Sequence, residues 1–156
     1  LPKDRCSECK GAGVRRAQDE IAIAIPPGIE SGEMIRLTGA GEAVAGGIAG
    51  DLYIKIHAQK HSRFRKEGAN LETDLGVKLT DALLGATYTL PTLEGDIEIK
   101  IPEGITHGEV LRVRGKGVPI ERNRRGDILV TIKIQFPTRL SKKARTALED
   151  LRKEGI

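Results

Sequence analysis

IAIAIPPGIESGEMIRLTGAGEA, from Ile21 to Ala43, returns 76 residues later as IEIKIPEGITHGEVLRVRGKGVP, from Ile97 to Pro119. The register does not drift. Ile21, Ile23, Ile25, Gly28, Gly32, Glu33, Arg36, Gly39, Gly41, Gly50, Asp51 and Ile56 meet Ile97, Ile99, Ile101, Gly104, Gly108, Glu109, Arg112, Gly115, Gly117, Gly126, Asp127 and Ile132. Similarity at one fixed offset means a folding unit built twice, and glycines that recur in place mark backbone turns that both copies need.

Outward from the repeat the pattern is that of short strands. Ile21, Ile23 and Ile25 alternate with Ala22 and Ala24, predicting a strand that Pro26-Pro27-Gly28 ends. Met34 to Leu37 reads as a second strand, Gly39 to Gly50 as a mobile glycine-rich loop, and Leu52 to Ile56 as a third strand. In the second copy Leu71, Thr73, Leu75, Val77 and Leu79 alternate with polar residues and Gly76. Thr80 is placed to cap a short helical turn over Asp81–Leu84 that Gly85 stops. Ala86-Tyr88-Leu90 and Ile97-Ile99-Ile101 predict two strands joined through Glu94-Gly95, and Ile128, Val130, Ile132, Ile134 and Phe136 predict the longest apolar face. The fold class expected is mainly β: two tandem repeated small β-sandwich or barrel-like domains with short helices and a C-terminal helix.

The end of the chain changes period. Ser141 is an N-cap candidate, and Ala144, Ala147, Leu148 and Leu151 make a narrow apolar stripe. A helix this short is marginal alone. It must dock, on its own sheet or on a second protomer.

The polar run HSRFRKEGAN, His61 to Asn70, is where the seam between the two units is expected. The second copy opens with Leu71 to Leu90, but the matching place in the first copy holds only a cysteine segment, so the first unit is expected to lack its first strand and short helix. The resulting division is 1–13 for the end of a cysteine-rich module, 14–65 for the first β domain, 66–140 for the second and 141–156 for the terminal helix. Only four of the 156 residues are aromatic, so the cores must be built from Ile, Leu and Val, at about 1.5 to 3 kcal/mol per fully buried side chain.

Cys6-Ser7-Glu8-Cys9, followed by Gly11 and Gly13, holds both cysteines of the chain. Two intervening residues let both thiolates face one Zn²⁺, and glycines just after them permit the tight turn. A redox pair or two unremarkable thiols is the alternative. Structural zinc takes four ligands, and His57, His61 and His107 are not at finger spacing from the cysteines. The pair is therefore read as half a site, with the histidines as exposed or hydrogen-bonded polar side chains.

These residues resemble a known family. CSECKGAG fits CxxCxGxG, the repeat of the zinc-binding region of DnaJ-type co-chaperones, and resembles the last of its four copies. IPPGIESGEMIRLTGAGEA, GDLYIKI, HSRFRKEGANL, LTDALLGATYTLPTLEGDIEIKIPEG and RGDILVTIKIQFP resemble, in order, the two C-terminal β domains of that family. The resemblance implies a non-enzymatic role in protein folding and the stress response. It implies a zinc module inserted in the first domain, a client groove on that domain for unfolded polypeptides, a homodimer formed through the C-terminal helix, and delivery of clients to a DnaK-type ATPase chaperone. Carried over by position, the client-binding residues are Ile21, Ile23, Ile54 and Ile56, the zinc ligands Cys6 and Cys9, and the dimerisation residues Ala144, Ala147, Leu148 and Leu151. A place in the core is the competing reading for Ile23 and Ile56.

The chain also departs from the family pattern. It contains no His-Pro-Asp tripeptide of a J domain, no Gly/Phe-rich linker, and one cysteine repeat in place of four. In the family the fourth repeat shares its zinc with the first, so zinc binding here is expected to be absent or incomplete. Beginning at Leu1, the chain is expected to be a piece of a longer one. The net charge of +4, from 26 basic and 22 acidic residues, is spread along the chain rather than concentrated. A nucleic-acid-binding module using Arg112, Arg114, Lys116, Arg122, Arg124 and Arg125 is the alternative function, with a solvated loop as the plainer account of that run. Asp51 and Asp127 follow glycine in both copies with no nucleophile or base beside them, which favours turn aspartates over an enzyme. No apolar run reaches the roughly 18 residues of a membrane span, and with no signal peptide visible the cytoplasm is the expected compartment.

Overall fold

In the first copy, MIRL and LYIK form β1 (Met34–Leu37) and β2 (Leu52–Lys55), antiparallel, with Ile35 opposite Ile54 and Leu37 opposite Leu52. Those four residues are half-buried, while Met34, Arg36, Tyr53 and Lys55 face outward and are exposed. This is the two-sided pattern that period-two sequence produces. The computed structural model describes residues 6–121 and 124–155. They divide into two units, one holding residues up to Ser62 together with 118–124, the other Arg63–Gly117 and the residues from Arg125 onward.

The second unit carries a four-stranded sheet ordered β3 (Arg65–Glu67), β4 (Asn70–Lys78), β10 (Ile128–Gln135) and β7 (Val110–Val113). β4 and β10 run parallel from Leu71 opposite Ile128 to Lys78 opposite Gln135, and β7 lies antiparallel on the other side of β10. Between them in sequence come α1 (Leu79–Leu84) and a hairpin of β5 (Ala86–Thr92) and β6 (Gly95–Ile101), registered Tyr88 to Ile99. Two short strands, β8 (Pro119–Glu121) and β9 (Arg124–Arg125), precede β10, and α2 (Lys142–Lys153) closes the chain. The mainly β architecture with short helices and a C-terminal helix is as expected.

The core is aliphatic and belongs to one unit. Val77, Ile101, Ile128, Val130 and Ile132 are the largest fully buried side chains, joined by Phe64, Leu71, Ala82, Leu90, Ile99 and Ile105. All lie in the second unit, and no described residue of the first unit is buried.

Several expectations need correction. Ile21–Ile25 is not a strand, although its counterpart is β6. A strand persists only when its backbone groups find a partner. β6 has β5, and nothing described plays that part in the first unit. β2 likewise stops at Lys55, one residue short of Ile56. Thr80 does not cap α1. The helix starts two residues earlier than expected, with an extended Lys78 at the N-cap position making no side-chain cap bond. Tyr88 ties down the residue before the helix: its hydroxyl accepts the Lys78 N–H at 3.1 Å and donates to Asp81 Oδ2 at 2.6 Å. Phe136 falls beyond the end of β10 and is exposed rather than part of the apolar face. The division between the units does fall within His61–Asn70, between Ser62 and Arg63, and the run also contains β3 and buries Phe64 at 6% exposure.

Candidate functional site

Gly39, with φ of 72°, turns the chain after β1, a conformation that side chains disfavour, and its N–H donates to Asp51 Oδ1 at 2.9 Å. Asp51 Oδ2 accepts from Arg36 Nε at 2.8 Å, so one carboxylate ties the start of β2 to the end of β1. In the second copy Gly115, φ 68°, donates to Asp127 Oδ1 at 2.8 Å, and Arg112 lies 3.6 Å from Asp127 Oδ2. Both aspartates are turn residues held by main chain and arginine, with no acid–base partner between them.

On this shared frame the two copies expose different things. Ile99, Ile101, Val130 and Ile132 are buried in the second unit, at 5% exposure or less. Their counterparts Ile23, Ile25, Ile54 and Ile56 are not: Ile23 is 38% and Ile25 60% exposed, and Ile54 and Ile56 are half-buried. Ile21 is 43% exposed, against a half-buried Ile97. The core reading of Ile23 and Ile56 therefore does not describe this unit. Ile21 and Ile23 lie on the irregular segment before Pro26, Ile54 lies in β2 and Ile56 follows it. The family resemblance marked them by position, and the structure adds that Ile21 and Ile23 are exposed and Ile54 and Ile56 only half-buried. Scattered exposed aliphatics mean little, but a set occupying core positions of a repeated fold lacks the layer that covers it in the other copy.

The glycines report the same difference. A Cβ on Gly126 would fall 1.8 Å from the Ala69 carbonyl oxygen, because the chain entering β4 crosses there; a Cβ on its counterpart Gly50 would meet nothing within 4 Å.

The thiol pair sits on a turn in which Lys10 N–H donates to the Cys6 carbonyl at 2.9 Å and Ala12 N–H to the Cys9 carbonyl at 2.8 Å. Backbone N–H groups of Gly13 and then Gly11 bond to the Cys9 sulfur, and with the Cys6 side chain they hold its thiol below the ordinary cysteine value. Cys6 is exposed and Cys9 half-buried, and they are not disulfide-bonded. Donor type, spacing and N–H···S bonds suit half of a tetrahedral thiolate set. Among the described residues no group of three or more His, Cys, Asp or Glu side chains could hold a metal ion. His107 is engaged elsewhere, accepting the Ile134 N–H at Nδ1, 3.1 Å away.

Ser141 caps α2, its hydroxyl accepting from Ala144 N–H at 3.1 Å. No residue of the helix is buried; Leu148 and Leu151 are 40% and 39% exposed, Ala147 is exposed and Ala144 half-buried. Of the basic run, Arg112 faces Asp127 and Arg125 is held by Glu94 at 2.5 Å and the Gly117 carbonyl, while Arg122 lies outside the described residues. The first five residues, assigned to the cysteine module, also lie outside them. No helix among the described residues is long and apolar enough to cross a membrane.

Comparison with known proteins agrees with this geometry. The DnaJ C terminal domain family matches residues 4–137. The chain is 38% identical over 148 residues to the chaperone protein DnaJ of Psychrobacter arcticus, covering 94% of this chain and 40% of that protein. It is 41% identical over 150 residues to the chaperone protein DnaJ 2 of Nocardia farcinica, covering 96% and 39%. It is 43% identical over 138 residues to that of Mycolicibacterium paratuberculosis, covering 88% and 35%. The chain thus spans about two fifths or less of the length of these relatives. Repeat, fold and similarity converge: the chain belongs to the DnaJ C-terminal domain family.

Proposed function

We propose that this chain is the substrate-holding and dimerising part of a DnaJ-type co-chaperone, which binds unfolded polypeptides and passes them to a DnaK-type ATPase chaperone. The observation that carries the reading is the partly uncovered apolar set of the first unit, Ile21 and Ile23 exposed and Ile54 and Ile56 half-buried, where the second unit has Ile99, Val130 and Ile132 buried and Ile97 half-buried. A non-native polypeptide offers the extended backbone and apolar side chains that would cover it. The α2 stripe of Ala144, Ala147, Leu148 and Leu151 serves a homodimer, pairing two weak sites so that the second contact is effectively intramolecular. Cys6 and Cys9 are half of a structural zinc site that a longer parent chain would complete, and on these two ligands alone the site is incomplete. When bound, the metal supplies a cross-link that orders the turn.

The test is binding of a reduced, carboxymethylated, permanently unfolded protein, followed by fluorescence anisotropy. Changing Ile21 and Ile54 together to Ser should weaken binding about tenfold, the loss expected for two half-covered apolar contacts. Unchanged affinity in that variant, or no binding by the parent chain, contradicts the reading.

A further inference from the structure

We infer that Val118, from the loop of the second copy, is a positioning residue for client binding: it seats the turn at Gly28 and so sets where Ile21 and Ile23 stand. This role rests on the client reading above and adds to it a residue outside the four isoleucines.

Val118 begins the stretch 118–124, which belongs with the first unit although it lies in the second copy of the repeat. It packs so closely on Gly28 that a Cβ there would fall 2.8 Å from Val118 Cγ1, with the Pro119 carbonyl oxygen next at 3.7 Å. Gly28 has φ of 83°, so the turn needs glycine both for its backbone and for its neighbour. Gly28, Ile29 and Val118 are half-buried, while Ile21 to Pro27 are exposed. The repeat alone does not produce this contact. Gly104, which stands where Gly28 does, would meet nothing within 4 Å, and Glu42, which stands where Val118 does, is exposed. The two loops nevertheless close alike, Gly41 N–H on the Gly50 carbonyl and Gly117 N–H on the Gly126 carbonyl, each at 2.8 Å. One frame thus bears an apolar residue in the copy where that residue meets a turn, and a charged one in the copy where it faces water.

The seated turn leads straight to the client residues. Only Pro26 and Pro27 separate Gly28 from Ile25, and each proline fixes its own φ, so a shift at Gly28 is carried into the isoleucine segment rather than absorbed. On the far side Gly32 N–H donates to the Ile56 carbonyl and Ile56 N–H to the Glu33 carbonyl, each at 2.8 Å. The turn is therefore held at two places, on Val118 and beside Ile56. Cutting Val118 back to alanine frees the first of them. The fraction of molecules with Ile21 and Ile23 in the binding arrangement then falls, and apparent affinity falls with it.

The experiment uses the whole chain, isoleucine methyl-labelled, with the carboxymethylated unfolded protein as probe. Before the probe is added, Val118→Ala should shift the methyl signals of Ile21, Ile23 and Ile25 and leave those of Ile99, Ile101 and Ile132 in place. Unmoved signals in the first segment overturn the inference. In the titration Val118→Ala should weaken binding about threefold, and Val118→Ile should keep the parent's affinity. In a chain with Ile21 and Ile23 both changed to Ser, Val118→Ala should weaken binding no further; beside Ile54→Ser its effect should persist in full. An effect that adds fully to the Ile21 and Ile23 changes means that Val118 touches the client itself, and overturns the positioning role. Loss of the Ile54 contribution in the Val118→Ala chain means that the first unit has unravelled, and overturns it too. If Val118→Ala binds like the parent while the Ile21 and Ile23 changes weaken binding, the role of Val118 falls and the client reading stands; if the parent does not bind, both fall.

Discussion

The carboxylate of Asp51 accepts the backbone N–H of Gly39 at 2.9 Å, and 76 residues later Asp127 accepts that of Gly115 at 2.8 Å. The main chain repeats with them. Gly41 N–H donates to the Gly50 carbonyl and Gly117 N–H to the Gly126 carbonyl, each at 2.8 Å, and Ile56 and Ile132 donate to Glu33 and Glu109 at the same distance. Asp51→Ala should cost about 1.5–3 kcal/mol, the range for hydrogen bonds to a charged group. The exposed ion pair with Arg36 contributes less than about 1 kcal/mol of this. Asp127→Ala should cost a similar amount, in the second unit. Residue-resolved hydrogen exchange would assign each loss to its unit; a loss spread evenly over both would contradict the account.

The two glycines that follow the loops should differ sharply. Gly126→Ala drives a methyl group into the Ala69 carbonyl and should destabilise the second unit by about 3 kcal/mol. Gly50→Ala has open space and should change stability by less than about 0.5 kcal/mol. Thermal unfolding of the two variants checks this.

The units should also open unequally. With every buried apolar residue among those described lying in the second unit, amides of β1 and β2 should exchange well before those of β4 and β10. Equal protection would mean that the first unit has a source of stability other than side-chain burial.

Tyr88 gives the fold an alkaline limit. Burial, and then the bond to Asp81, raise its phenol above the ordinary value of about 10. A raised folded value means that its contribution is complete below the unfolded value and is lost as pH rises through the folded one. Tyr88→Phe should cost about 1 kcal/mol at neutral pH and flatten the fall in stability above about pH 10. An unaltered alkaline slope would remove Tyr88 from that role.

Much of this was legible because the chain says it twice. The recurrence of Gly39, Gly41, Gly50 and Asp51 fixes turns, and strict alternation from Leu71 predicts β4, for which β10 is present as partner. What failed depended on context. Ile21–Ile25 has the alternation of a strand but no pairing partner described. Thr80 is a good cap residue, but α1 begins at Leu79 and takes it inside the first turn. Phe64 sits among charges that hide its burial, though its being one of four aromatics was a signal. At the site, the family resemblance located the four isoleucines, but how far each is buried depends on neighbours distant in sequence: Ile21 and Ile23 are exposed, Ile54 and Ile56 half-buried.

The most direct measurement is methyl NMR of the isoleucine-labelled chain titrated with the carboxymethylated unfolded protein. The account predicts shifts at Ile21, Ile23, Ile54 and Ile56 with Ile99, Ile101, Ile128 and Ile132 unmoved. Shifts confined to the second unit, or none at those four positions of the first, would contradict it.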